Sequence, residues 1–192
     1  MARKKQVGRK VDGWKSKSWY TVYTPESFGK TEIGNTISND PDKVMGRVLT
    51  ATLAEISHDF SKSHIAMKFK VNSVAGDAAY TEFAGHQVTR DHLRSMIKRR
   101  ASRVDALFPV TTKDGKKVRL TITCLTLSRA NVGQAQAIRK HIQEEMVRRA
   151  TEADIDSFIK DIVSGESAKE LFKQIKEIYP VRRIEIIKSK VE

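Results

Sequence analysis

The chain has 192 residues, 36 of them Lys or Arg and 23 Asp or Glu, so its formal net charge at pH 7 is +13 and its pI is about 9.9. A charge this large favours polyanionic partners, although it says nothing about the fold. A single cysteine, Cys124, excludes an intrachain disulfide. No apolar run approaches the length of a membrane span, and none follows the basic N-terminus as in a secretory signal, so we expect a cytoplasmic protein that does not bind membranes.

Residues 1–17 are predicted to form a basic N-terminal arm that binds RNA. They hold seven cations and one acid, a net +6, with almost no apolar side chain before Trp14. Such a segment cannot bury enough surface to offset its ordering entropy, so alone we expect it to be disordered. Its candidate RNA-binding residues are Arg3, Lys4, Lys5, Arg9, Lys10, Trp14, Lys15 and Lys17. We expect residues 18–192 to form a single globular domain.

Alternation of apolar and polar residues predicts strands. At 64–71 apolar residues alternate with lysines. Asp114-Gly115, a dipeptide typical of tight hairpin turns, lies between runs at 108–112 and 118–124, so we expect a hairpin there. Weaker strands are expected at 19–24, 45–55, 78–84 and 181–191, with turns at Gly34-Asn35 and Gly76-Asp77.

Helical periodicity predicts four helices. The first begins after Thr89 and continues through Ala101 to Val104, and the second spans about 134–150. The third carries apolar residues from 155 to 162 and ends at Gly165, and the fourth opens with a capping box at Ser167 and stops at Pro180. Strands come before most of the helices, without βαβ spacing. The predicted fold class is therefore α+β, with an antiparallel β-barrel-like sheet, flanking helices and a C-terminal strand.

No residue pattern supports catalysis, a metal site or a cofactor site. The sequence has no glycine-rich phosphate loop, and its five histidines are scattered. Cys124 lies on an apolar strand face, which predicts a buried, unreactive thiol. Asp154 and Asp156 are interpreted as charges in the first turn of a helix that complement its dipole, and Glu144/Glu145 as a solvated helix face. We therefore expect no enzyme, no cofactor and no small-molecule substrate. The alternative, a nucleic-acid-modifying enzyme, would need acidic or metal-binding residues beside the basic surface.

Three basic groups beyond the arm are candidates for RNA binding. One lies on the predicted helix after Thr89, one at the hairpin tip, and one on the loop that leads into the second helix. In that order they are Arg90, Arg94, Lys98, Arg99, Arg100 and Arg103; Lys113, Lys116 and Lys117; and Arg129, Arg139 and Lys140. Trp19 is interpreted as a core residue, whereas Trp14 fits either the core or stacking on a base. Residues 151–179, with a net charge of −3, are expected to lie outside the basic surface that meets the partner.

Several stretches, in order along the chain, resemble one known family. They are 19–25 (WYTVYTP), 33–36 (IGNT), 46–48 (GRV), 53–56 (LAEI), 89–91 (TRD) with 95–98 (SMIK), 111–115 (TTKDG), 136–140 (QAIRK) and 178–180 (IYP). Together they resemble the small-subunit ribosomal protein family of archaea and eukaryotes called S-three-A-e, or eS-one, over residues 14 to about 190. The absence of a long tail after the last strand is similar to the archaeal short form.

The resemblance implies a non-enzymatic ribosomal protein built as a β-barrel with flanking helices. It also implies binding to small-subunit rRNA near the platform and the mRNA exit region, beside the neighbouring ribosomal proteins of the platform.

Overall fold

A computed structural model describes Trp14 and residues 17–192 of the chain. The strands are β1 (Ser18–Tyr23), β2 (Glu32–Ser38), β3 (Val48–Thr52), β4 (Ile65–Ala75), β5 (Ala78–Val88), β6 (Arg103–Thr111), β7 (Lys117–Thr126) and β8 (Val181–Val191). The helices are α1 (Leu53–Ser57), α2 (Arg90–Met96), α3 (Val132–Glu152), α4 (Ile155–Ser164) and α5 (Glu166–Ile178). The predictions for residues 1–13, 15 and 16 of the arm lie outside the described residues.

Strand pairing in the described residues follows the path β2-β1-β5-β8-β7-β6, with β4 paired to β5 and β3 paired to β4. This confirms the α+β class and the C-terminal strand. The path does not close on itself, so the sheet of the described residues is open and resembles a barrel only loosely. One pair, β1 with β5, is parallel. The packing forms two compact units, a smaller one of residues up to 49 with 70–82 and a larger one of 50–69 with 83–192.

The smaller unit is built on the antiparallel hairpin β1–β2, which runs in register from Ser18 opposite Ser38. Its core contains Tyr20, Val22, Val44, Val71 and Ala79. The turn predicted at Gly34-Asn35 is wrong, because both residues lie within β2 beside a register irregularity that follows Val22. A glycine is tolerated in a strand at such a bulge. The chain reverses earlier, around Gly29, whose φ of 89° favours glycine.

The larger unit is built on the hairpin β6–β7, as predicted. Val118, Leu120, Ile122 and Cys124 are fully buried and lie opposite the inward residues of β6. β8 pairs with β7 along its whole length, and helices α3 and α5 pack against β6 and β8 respectively. One face of this sheet is therefore core, and its alternation with exposed residues fixes the register of the hairpin.

The predicted first helix is too long. It ends at Met96, and Ile97 has an extended ψ of 127°. From Arg103 onward the chain pairs with β7, with alternate residues buried, so Val104 belongs to a strand and not to a helix. Strand pairing overrides the helical spacing here, because burial against β7 satisfies both the apolar side chains and the backbone.

The other three predicted helices are confirmed, and two boundaries are corrected, one of a strand and one of a helix. α3, α4 with Gly165 after its last residue, and the stop before Pro180 are as predicted. The predicted strand at 45–55 is shorter, because a capping box between Thr52 and Glu55 starts α1. α5 begins at Glu166, one residue before the predicted capping box. Ser167 lies inside the helix, and its buried hydroxyl has no hydrogen-bond partner among the described residues.

Candidate nucleic-acid interface

All candidate RNA-binding residues that the structure describes are exposed, and two groups of them in the larger unit lie at opposite ends of the β6–β7 hairpin. Arg103 opposes Leu125 at one end, and Thr111 opposes Lys117 at the other. With a strand rise of ~3.3 Å per residue, these ends are about 26 Å apart. The sequence groups the cations by position along the chain, whereas the fold separates them into two surfaces.

At the first end, two loops are tied together. The Ser102 amide N–H donates to Thr126 Oγ1 at 2.8 Å, and the Ala130 N–H donates to Ser102 Oγ at 3.1 Å. The hydroxyl of Tyr179 donates to the carbonyl oxygen of Arg129 at 2.9 Å. These bonds hold the segment before β6 beside the segment after β7. We call the exposed cations of the two segments the basic loop cluster, which is Lys98, Arg99, Arg100, Arg103 and Arg129.

Two cations of this cluster, Lys98 and Arg103, lie beside Arg182 of β8. Lys98, Arg103 and Arg182 line one shallow depression of about 20 Å³, beside Met96 and Ile97. Arg103 Nε donates to Asp105 Oδ1 at 2.9 Å, whereas Lys98 and Arg182 have no ion pair with any described residue. A group the size of a phosphate oxygen fits such a depression.

Arg182 was missed by the sequence interpretation, which treated it only as a residue of the last strand. The signal that could have found it is the pair Arg182-Arg183 near the start of that strand, two residues after Pro180.

The cations after Thr89 do not form the single helical stripe that was predicted. Arg90 and Arg94 lie on α2 and are exposed, but Lys98, Arg99 and Arg100 follow the end of the helix. Arg100 has a φ of 64°, in the left-handed region. A loop presents these side chains in different directions, so they can contact phosphates that do not lie along one line.

At the second end, the hairpin tip carries Lys113, Lys116 and Lys117. The tip is fixed to the start of α4, because Asp114 Oδ2 accepts from the Ile155 N–H at 2.9 Å. Lys113 Nζ is 3.9 Å from Asp154 Oδ1, so this lysine is partly neutralised. Lys116 and Lys117 have no ion pair within the described part of the chain, and they remain open to an anionic partner.

The third predicted group is split by the fold. Arg129 belongs to the basic loop cluster, whereas Arg139 Nε donates to the backbone oxygen of Asp105 at 3.1 Å. Lys140 Nζ lies 3.8 Å from Glu144 Oε1, an exposed pair one helical turn apart. Arg139 and Lys140 are therefore exposed but already have partners within the larger unit.

The solvent face of the sheet carries further cations that the sequence interpretation did not select. Arg119 on β7 lies opposite Lys190 on β8, and Thr121 lies opposite Lys188. All three cations are exposed, as is Leu107 on β6. Arg119 Nη2 contacts Glu192 Oε1 at 2.7 Å. The signal was present, since each of these cations alternates with a buried residue of its own strand.

Not every arginine of the larger unit is open to a partner. Arg148 Nη2 and Arg149 Nε donate to Glu145 Oε1 at 2.8 and 3.0 Å, and Arg149 also donates to Glu170. Burial acts to raise the pKa of Glu145, but these hydrogen bonds and charges outweigh burial and hold its pKa below the usual value. The interpretation of Glu145 as a solvated charge is wrong, because its side chain is buried beside α5 and paired.

The two tryptophans are described in the smaller unit. Trp19 is 62% exposed, so its interpretation as a core residue is wrong. Trp14 is 66% exposed, and Lys17 Nζ lies 5.1 Å from its ring centroid. An exposed indole beside a cation has the chemistry for stacking on an unpaired base.

Cys124 is buried as predicted, and burial raises the pKa of its thiol to about 12. The thiol is therefore protonated at neutral pH and is not a nucleophile. Across Trp14 and residues 17–192, no group of three His, Cys, Asp or Glu side chains is placed to hold a metal ion. In the same part of the chain, no helix has both the length and the apolar character to cross a membrane.

Exposed cations on an α+β scaffold are typical of a protein that binds a polyanion. The chain matches the Ribosomal S3Ae family over residues 5–192. It is 60% identical over 192 residues to the small ribosomal subunit protein eS1 of Methanoculleus marisnigri, an alignment covering 100% of this chain and 98% of that protein. The corresponding protein of Methanoregula boonei is 56% identical over 192 residues, covering 100% and 96%, and that of Methanobrevibacter smithii is 46% identical over 191 residues, covering 100% and 99%.

The chain therefore belongs to the Ribosomal S3Ae family, a family of structural, non-enzymatic ribosomal proteins. This confirms the resemblance seen in the sequence and its archaeal character.

Proposed function

We propose that this chain is a structural constituent of the small ribosomal subunit and binds rRNA by neutralising phosphates. The binding residues are the basic loop cluster with Arg182, the α2 cations Arg90 and Arg94, the hairpin tip and the N-terminal arm. The names of the relatives support assembly into the small subunit. The family resemblance favours a position near the platform and the mRNA exit region, where neighbouring ribosomal proteins would be its other partners.

The observation that carries this proposal is the convergence of Lys98, Arg103 and Arg182 on one depression. Two of the three have no acidic partner in the described chain, so no described residue balances their charges. A planar guanidinium beside an ammonium is the donor set that binds phosphate oxygens with both charge and hydrogen bonds. Phosphate contacts position a protein on RNA without reading its sequence, which is the chemistry that a structural component needs.

The experiment is a salt titration of binding to a small-subunit rRNA transcript. Each lost phosphate contact lowers the slope of log K against log salt by about one unit, so Lys98→Gln with Arg182→Gln should lower it by about two. The matched control is Lys160→Gln with Lys176→Gln, which removes the same charge from the exposed surface of α4 and α5. An equal drop in both variants, or none in either, would contradict the proposal.

Sedimentation through a sucrose gradient tests the assembly itself. A tagged chain expressed in an archaeal host should travel with the small subunit, whereas a nucleic-acid-modifying enzyme would remain mostly in the unbound fractions.

A further inference from the structure

A groove of about 690 Å³ crosses the larger unit between α5 and β8. Its walls are mainly apolar and include Ile65, Val88, Ile162, Phe172, Ile184 and Ile186. A phosphate backbone would lose hydration against such a surface without gaining hydrogen bonds, so the groove is poorly suited to RNA. It is suited to apolar side chains.

The strand at the base of the groove is only partly covered by a neighbouring strand. β8 pairs with β5 only at Lys188–Lys190, so on this side residues 181–187 have no partner strand among the described residues. Side chains of other elements lie there instead: the carbonyl oxygen of Ile186 accepts from His86 Nε2 at 3.0 Å, and Glu185 lies 3.3 Å from His92 of α2. The groove therefore offers apolar side chains, and not an open strand edge, to a partner.

The rim of the groove is basic. It contains Lys62, Lys169, Lys173, Arg182 and Arg183 against one acid, Glu185. Glu185 is already paired with Arg183 and lies 3.3 Å from His92. Lys169 and Lys173 belong to residues 151–179, whose net charge is −3. These two lysines line the groove, whereas no acidic residue of 151–179 does. The cations of α5 that face the groove have no acidic partner in the described chain.

We propose that this groove binds an extended segment of a neighbouring protein, in which apolar side chains alternate with Asp or Glu. The segment lies along the groove between β8 and α5, its apolar side chains enter the groove, and its carboxylates meet the basic rim. Apolar burial supplies affinity, whereas the charges select the partner. The inference rests on the proposed function only for the source of the segment, a protein beside this chain in the small subunit.

The first test uses the full chain and a labelled synthetic peptide that alternates Val and Glu. Fluorescence anisotropy should show binding, and amide NMR shifts should cluster at Ala168, Phe172 and Ile184. A peptide alternating Gly and Glu carries the same charge without the apolar side chains, and it should bind at least about tenfold more weakly. A peptide alternating Val and Lys should not bind.

Matched charge reversals separate the groove from general attraction. Lys169→Glu with Lys173→Glu should weaken the Val/Glu peptide by about tenfold or more. Lys116→Glu with Lys117→Glu makes the same charge change at the hairpin tip, and its effect should be several times smaller. Equal losses in the two variants, equal binding of the Gly/Glu peptide, or displacement of the peptide by a short RNA would each overturn the proposal.

The assembled subunit supplies the second test. A photo-crosslinking benzoylphenylalanine in place of Phe172 should crosslink to a protein within the small subunit, and a crosslink to rRNA would overturn the proposal. The slope of log K for rRNA binding against log salt should be the same for Lys169→Glu with Lys173→Glu as for the unmodified chain. A chain that fails to enter the subunit would instead contradict the proposed function. The peptide experiment would still test whether the groove binds an extended segment.

Discussion

The basic loop cluster and the helical side of the larger unit use the same residue type in opposite ways. On the helical side, Arg148 and Arg149 share the buried carboxylate of Glu145, and Arg149 also reaches Glu170 on α5. In the loop cluster, Lys98, Arg99, Arg100 and Arg129 are exposed and have no ion pair with a described residue. The first set of charges is paired within the fold, and the second set has no ion-pair partner among the described residues.

This difference shows that charge alone does not mark an interface. Arg149, whose side chain is 20% exposed, has exchanged most of its hydration for hydrogen bonds within the protein, so a polyanion gains little from it. An exposed arginine without a partner remains able to neutralise a phosphate, and this neutralisation releases the counterions that were bound to the RNA. The predictions below test whether pairing separates structural cations from those that bind RNA, and whether the hairpin between the two surfaces is structural.

The largest effect is expected in RNA binding. Arg99→Glu with Arg129→Glu should weaken binding to small-subunit rRNA at least about thirtyfold near 0.1 M salt. The reason is that each phosphate contact contributes about 0.7–0.9 to the slope of log K against log salt, so losing contacts lowers the affinity at low salt. Unfolding in urea should change by less than about 0.5 kcal/mol, since both side chains are exposed. Filter binding measures the first quantity, and Lys160→Glu with Lys176→Glu is the charge-matched control. Equal weakening in the control would break the comparison.

The second prediction concerns the helical side. Glu145→Gln should lower the free energy of unfolding by about 1–3 kcal/mol, because it removes charged hydrogen bonds from two arginines. The rRNA salt slope should stay unchanged. A variant that loses RNA affinity but keeps its stability would show that this pair belongs to the interface.

The same carboxylate gives a pH dependence with a definite sign. The folded pKa of Glu145 is lowered, so its stabilisation is complete above the unfolded value of about 4.3 and is lost as pH falls through the folded pKa. Urea unfolding measured down an acid series should therefore converge for the native chain and Glu145→Gln. A constant gap at all pH values would contradict the assignment.

The third prediction concerns the hairpin that keeps the two ends apart. Cys124→Ala should cost about 1 kcal/mol, because a small buried side chain is lost from the β7 core face. With a thiol pKa of about 12, Cys124 should react slowly with a thiol reagent at neutral pH and quickly only after unfolding. Rapid labelling of the folded chain would contradict both the strand register and the structural interpretation of the cysteine.

The smallest effect is expected at Lys140, which lies between the two cases. It is a predicted RNA-binding residue, yet it is 3.8 Å from Glu144 in an exposed pair. Lys140→Gln should change stability by less than about 0.5 kcal/mol. It should lower the salt slope by less than the one unit per residue expected for the loop cluster. A full unit would show that an exposed pair does not prevent phosphate binding.

Features that depend on local alternation were predictable from the sequence. The hairpin around Asp114-Gly115, the buried face of β7 and the last strand follow from periodicity within a few residues. The end of α2 was not predictable, because pairing with β7 decides it. The separation of free from paired cations was predictable only in part, since Glu145 lies one helical turn from Arg149 on α3, whereas Glu170 meets Arg149 only after α3 packs beside α5. The arm and the single-domain organisation stay predictions.

The position of β8 between β7 and β5 also has a consequence for biosynthesis. His86 and Ser189, which are hydrogen-bonded across β5 and β8, lie 103 residues apart, and every strand that β8 joins is translated before it. In a nascent chain that has not reached residue 181, one edge of β7 is therefore unpaired. An unpaired strand edge can hydrogen-bond to another polypeptide. Contacts between such distant residues form slowly. An unfinished chain therefore offers chaperones and proteases a target that the finished sheet hides.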